Sequence, residues 1–411
     1  MRLPRWLVWF SLCACAGRPA AEGGVTTSTA PTQGTGALHS SCLDDVGVIL
    51  ETPDTQGYRR YANQGFTRYT EVVAPNGGTI PIFAQDGIRD SQLMRARNLL
   101  RFFLRDVPGS KWGVDKSDVA NAMADNNAVL MMPNGEHEEG NEPNLPAQPL
   151  YEDETPADGS GWFMNNNYDH RDAAFEEIFH LVHDMGIGTW KPGVRPEYQA
   201  DLDAEARAAM KDGRWGIPID PFVSEWLDEL EREDSLAQEY IASVIDSYYG
   251  LWGPWDEDEG GMWGIYIAKT REEIAERDPA GLALLEQFLP PTITTEIRLD
   301  DRLRRDFSMT FDASEPYTYK SQYFVHVTLT GDADVSLHGN ARDNTLRGNF
   351  GDNTLDGAEG EDTVVYCGPR SDYAVTRDDG VLLVSGPDGA DRLVDVEWVH
   401  FAGGRVAANT L

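Results

Sequence analysis

Four ionisable side chains crowd one short stretch: Phe175-Glu176-Glu177-Ile178-Phe179-His180-Leu181-Val182-His183. Read as a helix, Glu176 and His180 are one turn apart and His183 is two turns from Glu176, so the three share a face. Glu177 sits one position round. The residues between them are apolar, so the helix is predicted to be buried. Carboxylates and imidazoles there are costly unless hydrogen-bonded or bound to metal. The chemistry within reach is metal ligation by Glu and His, with a spare glutamate able to take a proton. The bland alternative is a structural helix whose histidines are hydrogen-bonded and whose glutamates cap it or face solvent.

A second feature is periodic. In rows of nine, residues 330–365 read TGDADVSLH, GNARDNTLR, GNFGDNTLD and GAEGEDTVV. The eighth place is apolar in every row (Leu337, Leu346, Leu355, Val364) and the seventh is Ser or Thr. Such a period predicts stacked strands and turns, none able to bury a face alone. Asp343, Asn344, Asp352, Asn353 and Asp362 place oxygen at the turns, which suits calcium, a hard cation. The tail beyond residue 366 alternates apolar and polar residues between Gly, Pro and Asp turns, a strand pattern.

The elements around the first helix follow from patterning. Residues 66–84 read as a hairpin about Asn76-Gly77. A helix follows Asp90, and 119–132 begins helical and ends in a short buried strand. Residues 133–161 read as a long loop. After the motif helix, helices are predicted at 197–213, 221–233, 235–249 and 270–288. The acidic, Trp-rich stretch 252–264 reads as a packed turn or as a cover over a cleft. No GxSxG, Walker loop or dinucleotide fingerprint occurs.

Two family resemblances rest on these residues. The repeat resembles the RTX, or hemolysin-type, calcium-binding repeat, GGxGxDxUx with U apolar. The sixth place, Asp in that pattern, is here Val335, Asn344, Asn353 and Asp362. The stretch from Glu176 to His180 resembles the zincin metallopeptidase helix, HExxH, with Glu176 in place of the first histidine. Carried over residue by residue, Glu176 and His180 are zinc ligands and Glu177 is the general base. A gluzincin-type third ligand is a glutamate on a later helix, Glu239 first and Glu225 second; His183 is the alternative ligand. A di-iron reading needs a second ExxH on another helix, and the only other ExxH, Glu397 to His400, falls in the strand-rich tail.

Length and charge frame the whole. The chain has 411 residues and a formal net charge of -35. That balance argues against a nucleic-acid partner and suits divalent cations. MRLPR followed by a short apolar run is an export leader, too short to span a membrane. Leu12-Cys13-Ala14-Cys15 resembles a lipobox with lipidated Cys15, while Ala14-Cys15-Ala16 fits ordinary cleavage. An oxidising compartment permits a disulfide between Cys42 and Cys367; the two are read as separate free thiols.

The expected organisation is a leader over 1–15, a flexible tether over 16–41 and an α+β zincin-like domain over 42–291. A β-rich connector follows over 292–329, then RTX-type repeats forming an all-β roll over 330–366 and a β segment over 367–411. The expected function is that of an exported bacterial protein, secreted or on the cell surface, a candidate outer-membrane lipoprotein. It binds Ca2+ and carries a Zn2+-dependent peptidase-like domain acting on an unidentified peptide or protein. A membrane enters only through the N-terminal lipid. The alternative is a non-catalytic calcium-binding surface or adhesion protein with a degenerate zincin-like domain.

Overall fold

A computed structural model describes residues 48–137, 143–166, 168, 171–189, 191–257 and 259–411. The leader, Cys15, the tether and Cys42 lie outside the described residues. No helix among the described residues is long and apolar enough to cross a membrane.

The first domain opens with β1 (Leu50–Glu51), α1 (Arg59–Ala62), β2 (Arg68–Val73) and β3 (Thr79–Ala84). β2 and β3 pair antiparallel across the expected hairpin. Gly77 takes φ +82 there, open to glycine at little cost. Asn76 Oδ1 accepts from the Gly78 N–H at 2.9 Å, which fixes the turn. Next come α2 (Asp90–Phe103), α3 (Ser117–Asp125), β4 (Leu130–Met132), β5 (Gln148–Pro149) and α4 (Gly161–Asn165). β4 and β5 add in parallel, giving a five-stranded sheet in the order β1-β2-β3-β4-β5. β5 breaks the loop expected over 133–161.

The motif segment forms α5 (Ala174–Val182), followed by a π-helical turn over His183–Ile187. α6 (Pro196–Asp212), α7 (Pro221–Glu233) and α8 (Leu236–Tyr248) follow. α5 packs between α2 and α8, and its Ile178 and Phe179 share a core with Leu93 and Leu100 of α2 and Ile80 and Ile82 of β3. The single helix expected over 270–288 is corrected to two, α9 (Arg271–Arg277) and α10 (Pro279–Glu286). Pro279 cannot continue α9, because it lacks the N–H and its ring clashes with the preceding turn. Asp278 restarts the chain by capping the Gly281 N–H.

The rest is a roll. β6 (Ile297–Arg298), β7 (Phe307–Ser308), α11 (Thr318–Ser321) and β8 (His326–Thr328) precede β9 (Ser336–His338), β10 (Thr345–Arg347), β11 (Thr354–Asp356) and β12 (Thr363–Val365). β13 (Ala374–Asp378), β14 (Val381–Gly386), β15 (Gly389–Val394), β16 (Trp398–Phe401) and β17 (Gly404–Ala407) complete it. Successive repeat strands alternate between two six-stranded sheets, ordered β17-β16-β12-β10-β8-β6 and β13-β14-β15-β11-β9-β7. Leu337 lies beside Leu355 and Leu346 beside Val364, all fully buried between the sheets. Because β6, β7 and β8 already belong to these sheets, the expected connector is the start of the roll. The roll and the first domain share one apolar core, in which Phe163 lies 6.3 Å from Phe307 and 6.2 Å from Phe324.

One thiol expectation is corrected. Cys367 is buried and disulfide-bonded, its partner outside the described residues. An oxidising compartment is where such a bond persists.

Candidate functional site

The site is built where α8 crosses α5. Every residue of α8 is buried, and Glu239 in its first turn is 4% exposed. Glu176 is fully buried and His180 8% exposed. Glu176, His180 and Glu239 each offer one ligand atom, and these atoms lie within 4.8 Å of one another. His180 Nε2 is 3.6 Å from Glu239 Oε1, and its Nδ1 is 3.7 Å from Glu177 Oε2. Glu177 Oε2 also accepts from Gln148 Nε2 at 2.6 Å, tying the edge strand β5 to the site.

Glu176 Oε1, His180 Nε2 and Glu239 Oε2 are buried without a hydrogen-bond partner. An ion pair from Arg171 reaches Glu176 Oε2. Leaving so many polar atoms dry and unmatched is costly, and a cation among them would satisfy several at once. A two-carboxylate, one-imidazole donor set fits zinc.

The electrostatics carry the same strain. Burial raises the Glu239 carboxyl to about 8; His180 opposes the rise, while Glu176 and Glu177 add to it. Burial also raises Glu154 to about 8, with Glu177 adding to the effect. Asp246 is pushed well above the carboxylate range by burial and by Glu176. For His180 burial acts downward, but Glu239 and Glu177 overcome it and lift the imidazole to about 10. A Glu239 protonated in the fold, with an ordinary value of 4.5, holds an extra proton between about pH 4.5 and about 8. Its contribution to stability of the metal-free protein therefore falls as pH rises through that window. Glu239→Gln should flatten that part of the profile. Denaturant midpoints of both proteins at pH 5 to 8, with chelator present, measure the difference; parallel slopes would count against the assignment.

The other expected residues lie apart. His183 caps α5 at the π turn. Its Nε2 meets Gln199 of α6, and burial lowers the ring to about 4. It is not among the three side chains that meet at the site. Glu225 is exposed on α7. Trp252, Trp255 and Trp263 of the acidic stretch are buried, with Trp252 stacked on Tyr168 at 5.3 Å. Arg171, Glu154, Gln148 and Asp246 are neighbours that sequence reasoning missed. Only Asp246 carried a signal, since it stands seven residues after Glu239 on the same face of α8.

In the roll, the turn residues divide into two kinds. Asn344 Oδ1 accepts from the Asn340 N–H at 2.8 Å, and Asn353 Oδ1 from the Asn349 N–H at 2.9 Å. Their amide groups donate to Asn340 Oδ1 and to the Val335 carbonyl. Both asparagines therefore act as a buried ladder inside the turns. Asp343 and Asp352 accept from the N–H groups of Glu361 and Ala390. Asp362 differs. Its Oδ1 accepts from the Asn344 N–H at 2.7 Å, but Oδ2 is buried and unpartnered. Burial lifts this carboxyl to about 6, with Glu397 and Asp343 adding to the rise. Asp362 thus has a vacant acceptor suited to a cation.

The structure also exposes a fifth repeat. Gly386-Pro387-Asp388-Gly389-Ala390-Asp391-Arg392-Leu393-Val394 keeps the Gly, Asp and apolar places of the nine-residue pattern, with Arg392 in place of Ser or Thr, and β15 pairs in parallel with β11, Leu393 beside Leu355. The β13–β14 hairpin separates it from the other rows and hides it from a search by period.

No curated protein matches the chain. Residues 336–365 match the RTX calcium-binding nonapeptide repeat in four copies, so this part of the roll is built of calcium-binding repeats of the RTX type.

Proposed function

We propose that the chain is an exported calcium-binding protein whose first domain is a zincin-like, zinc-dependent peptidase. The observation that carries this reading is the buried meeting of Glu176, His180 and Glu239, with Glu176 Oε1, His180 Nε2 and Glu239 Oε2 unpartnered and Glu177 alongside. Those three side chains would hold the ion, which when bound would supply Lewis-acid polarisation of a peptide carbonyl and a more acidic water. Glu177, anchored by Gln148, accepts the proton of the attacking water and passes it to the leaving amine. Gln148 at the start of β5 orients that carboxylate from the sheet side. Export follows from the basic and apolar leader, with secretion or a lipid on Cys15 as its two outcomes, and the RTX repeats support an extracellular setting.

His180→Ala tests the metal reading. The parent protein should carry about one zinc per chain, and the variant should carry almost none, because its coordination sphere is incomplete. Elemental analysis after dialysis against chelator-free buffer measures both. A second reading, a non-catalytic calcium-binding surface protein, draws support from Arg171, whose charge already meets Glu176. A parent that binds calcium and no zinc would favour it.

A further inference from the structure

Arg171 has no role in the reading above, yet it stands against the site. Its side chain is 12% exposed, and its Nη1 meets Glu176 Oε2 and lies 3.8 Å from Asp246 Oδ2. The guanidinium lies 5.4 Å from the centre of the Trp263 ring, and Nη1 is 4.0 Å from Met262 Sδ. Met262 and Trp263 both take φ +52, a conformation side chains rarely adopt, and so hold this wall in a strained form. Asp246 is 1% exposed, and neither of its oxygens has a hydrogen-bond partner. It lies two turns beyond Glu239 on α8. One largely covered arginine therefore stands between a carboxylate of α5 and a carboxylate of α8.

We infer that Arg171 is a positioning residue for the metal site, which makes a glutamate workable at the first ligand position. An imidazole offers one ring nitrogen to a metal in a fixed direction, and its other nitrogen is anchored separately. A carboxylate has two equivalent oxygens and swings about its last bond. Arg171 removes that freedom: it engages Oε2 of Glu176 and leaves Oε1 for the ion. A planar, permanently charged guanidinium lying over the Trp263 ring suits this task better than a lysine point charge. Asp246 lies 3.8 Å from the same Nη1, so α8 supplies both Glu239 and a carboxylate beside the arginine that braces Glu176. The inference rests on the metal reading proposed above.

The test is zinc affinity of the full chain, measured by competition with a chromophoric chelator. Arg171→Met should bind zinc about 10–100-fold more weakly than the parent, the range for loss of a residue that orients a ligand. Arg171→Lys keeps the charge and loses the planar guanidinium over Trp263, and should fall about tenfold; it carries the test if Arg171→Met does not fold by circular dichroism. The double variant Arg171→Met with Asp246→Asn separates positioning from neutralisation. If Arg171 positions Glu176, affinity stays low in the double variant. If Arg171 serves only to neutralise Asp246, affinity returns, and the inference is overturned. It is also overturned if Arg171→Met, or Arg171→Lys standing in for it, stays within about threefold of the parent. A parent that binds no zinc overturns the metal reading itself, which is a distinct result.

Discussion

Glu177→Gln is expected to keep bound zinc and to lose about two to four orders of magnitude in peptide hydrolysis. The substitution removes a proton acceptor and adds no bulk. The side chain still reaches Gln148, which now holds Glu177 Oε2 at 2.6 Å, so its position should persist. Glu177 is not among the three donors that meet within 4.8 Å, so the ion should stay. His180→Ala should lose ion and activity together. The measurement is kcat on an unstructured protein such as casein, beside zinc content of the same preparation. Unchanged hydrolysis in Glu177→Gln would remove the general-base role, and zinc loss with activity would make Glu177 a ligand. The pairing matters because a scaffold domain without chemistry would show no activity in either variant or in the parent.

Part of this site was legible in residue spacing. Glu176 and His180 meet because i and i+4 share a helical face, and their burial follows from Phe175, Ile178, Phe179 and Val182 around them. Glu239 was within reach because it opens a helix too apolar to lie on the surface. Arg171 was not legible. It precedes α5 in an irregular segment with no periodicity, and its partner Asp246 lies 75 positions on. Gln148 was hidden for a related reason: β5 has two residues, too few to show alternation. The roll was legible over 330–365, where each apolar eighth residue is buried, and illegible at 386–394, where an inserted hairpin breaks the period although register pairing restores it. The break at Asp278-Pro279 was written in the chain, and apolar spacing across it masked the stop. Local patterns thus report elements with a regular period. Contacts made by irregular segments, and repeats displaced by insertions, depend on tertiary register.

Calcium is expected to raise the melting temperature of the full chain, and the two kinds of turn residue should separate its effect from packing. An ion that binds only the folded roll stabilises it by about 2.7 kcal/mol at a hundredfold excess over its Kd. Since the roll shares its core with the first domain, the whole transition should move rather than a C-terminal fraction of it. Asp362→Asn removes the charge from the buried, unpartnered oxygen and should erase most of the calcium-dependent shift. Asn344→Ala should behave otherwise. Its amide is spent on Asn340, so its loss strands a buried N–H and costs about 1–3 kcal/mol with or without calcium. Melting curves of the parent and both variants, in chelator and in millimolar calcium, give the two terms separately. A calcium shift that survives in Asp362→Asn and vanishes in Asn344→Ala would move the ion from the Asp362 carboxylate to the asparagine ladder.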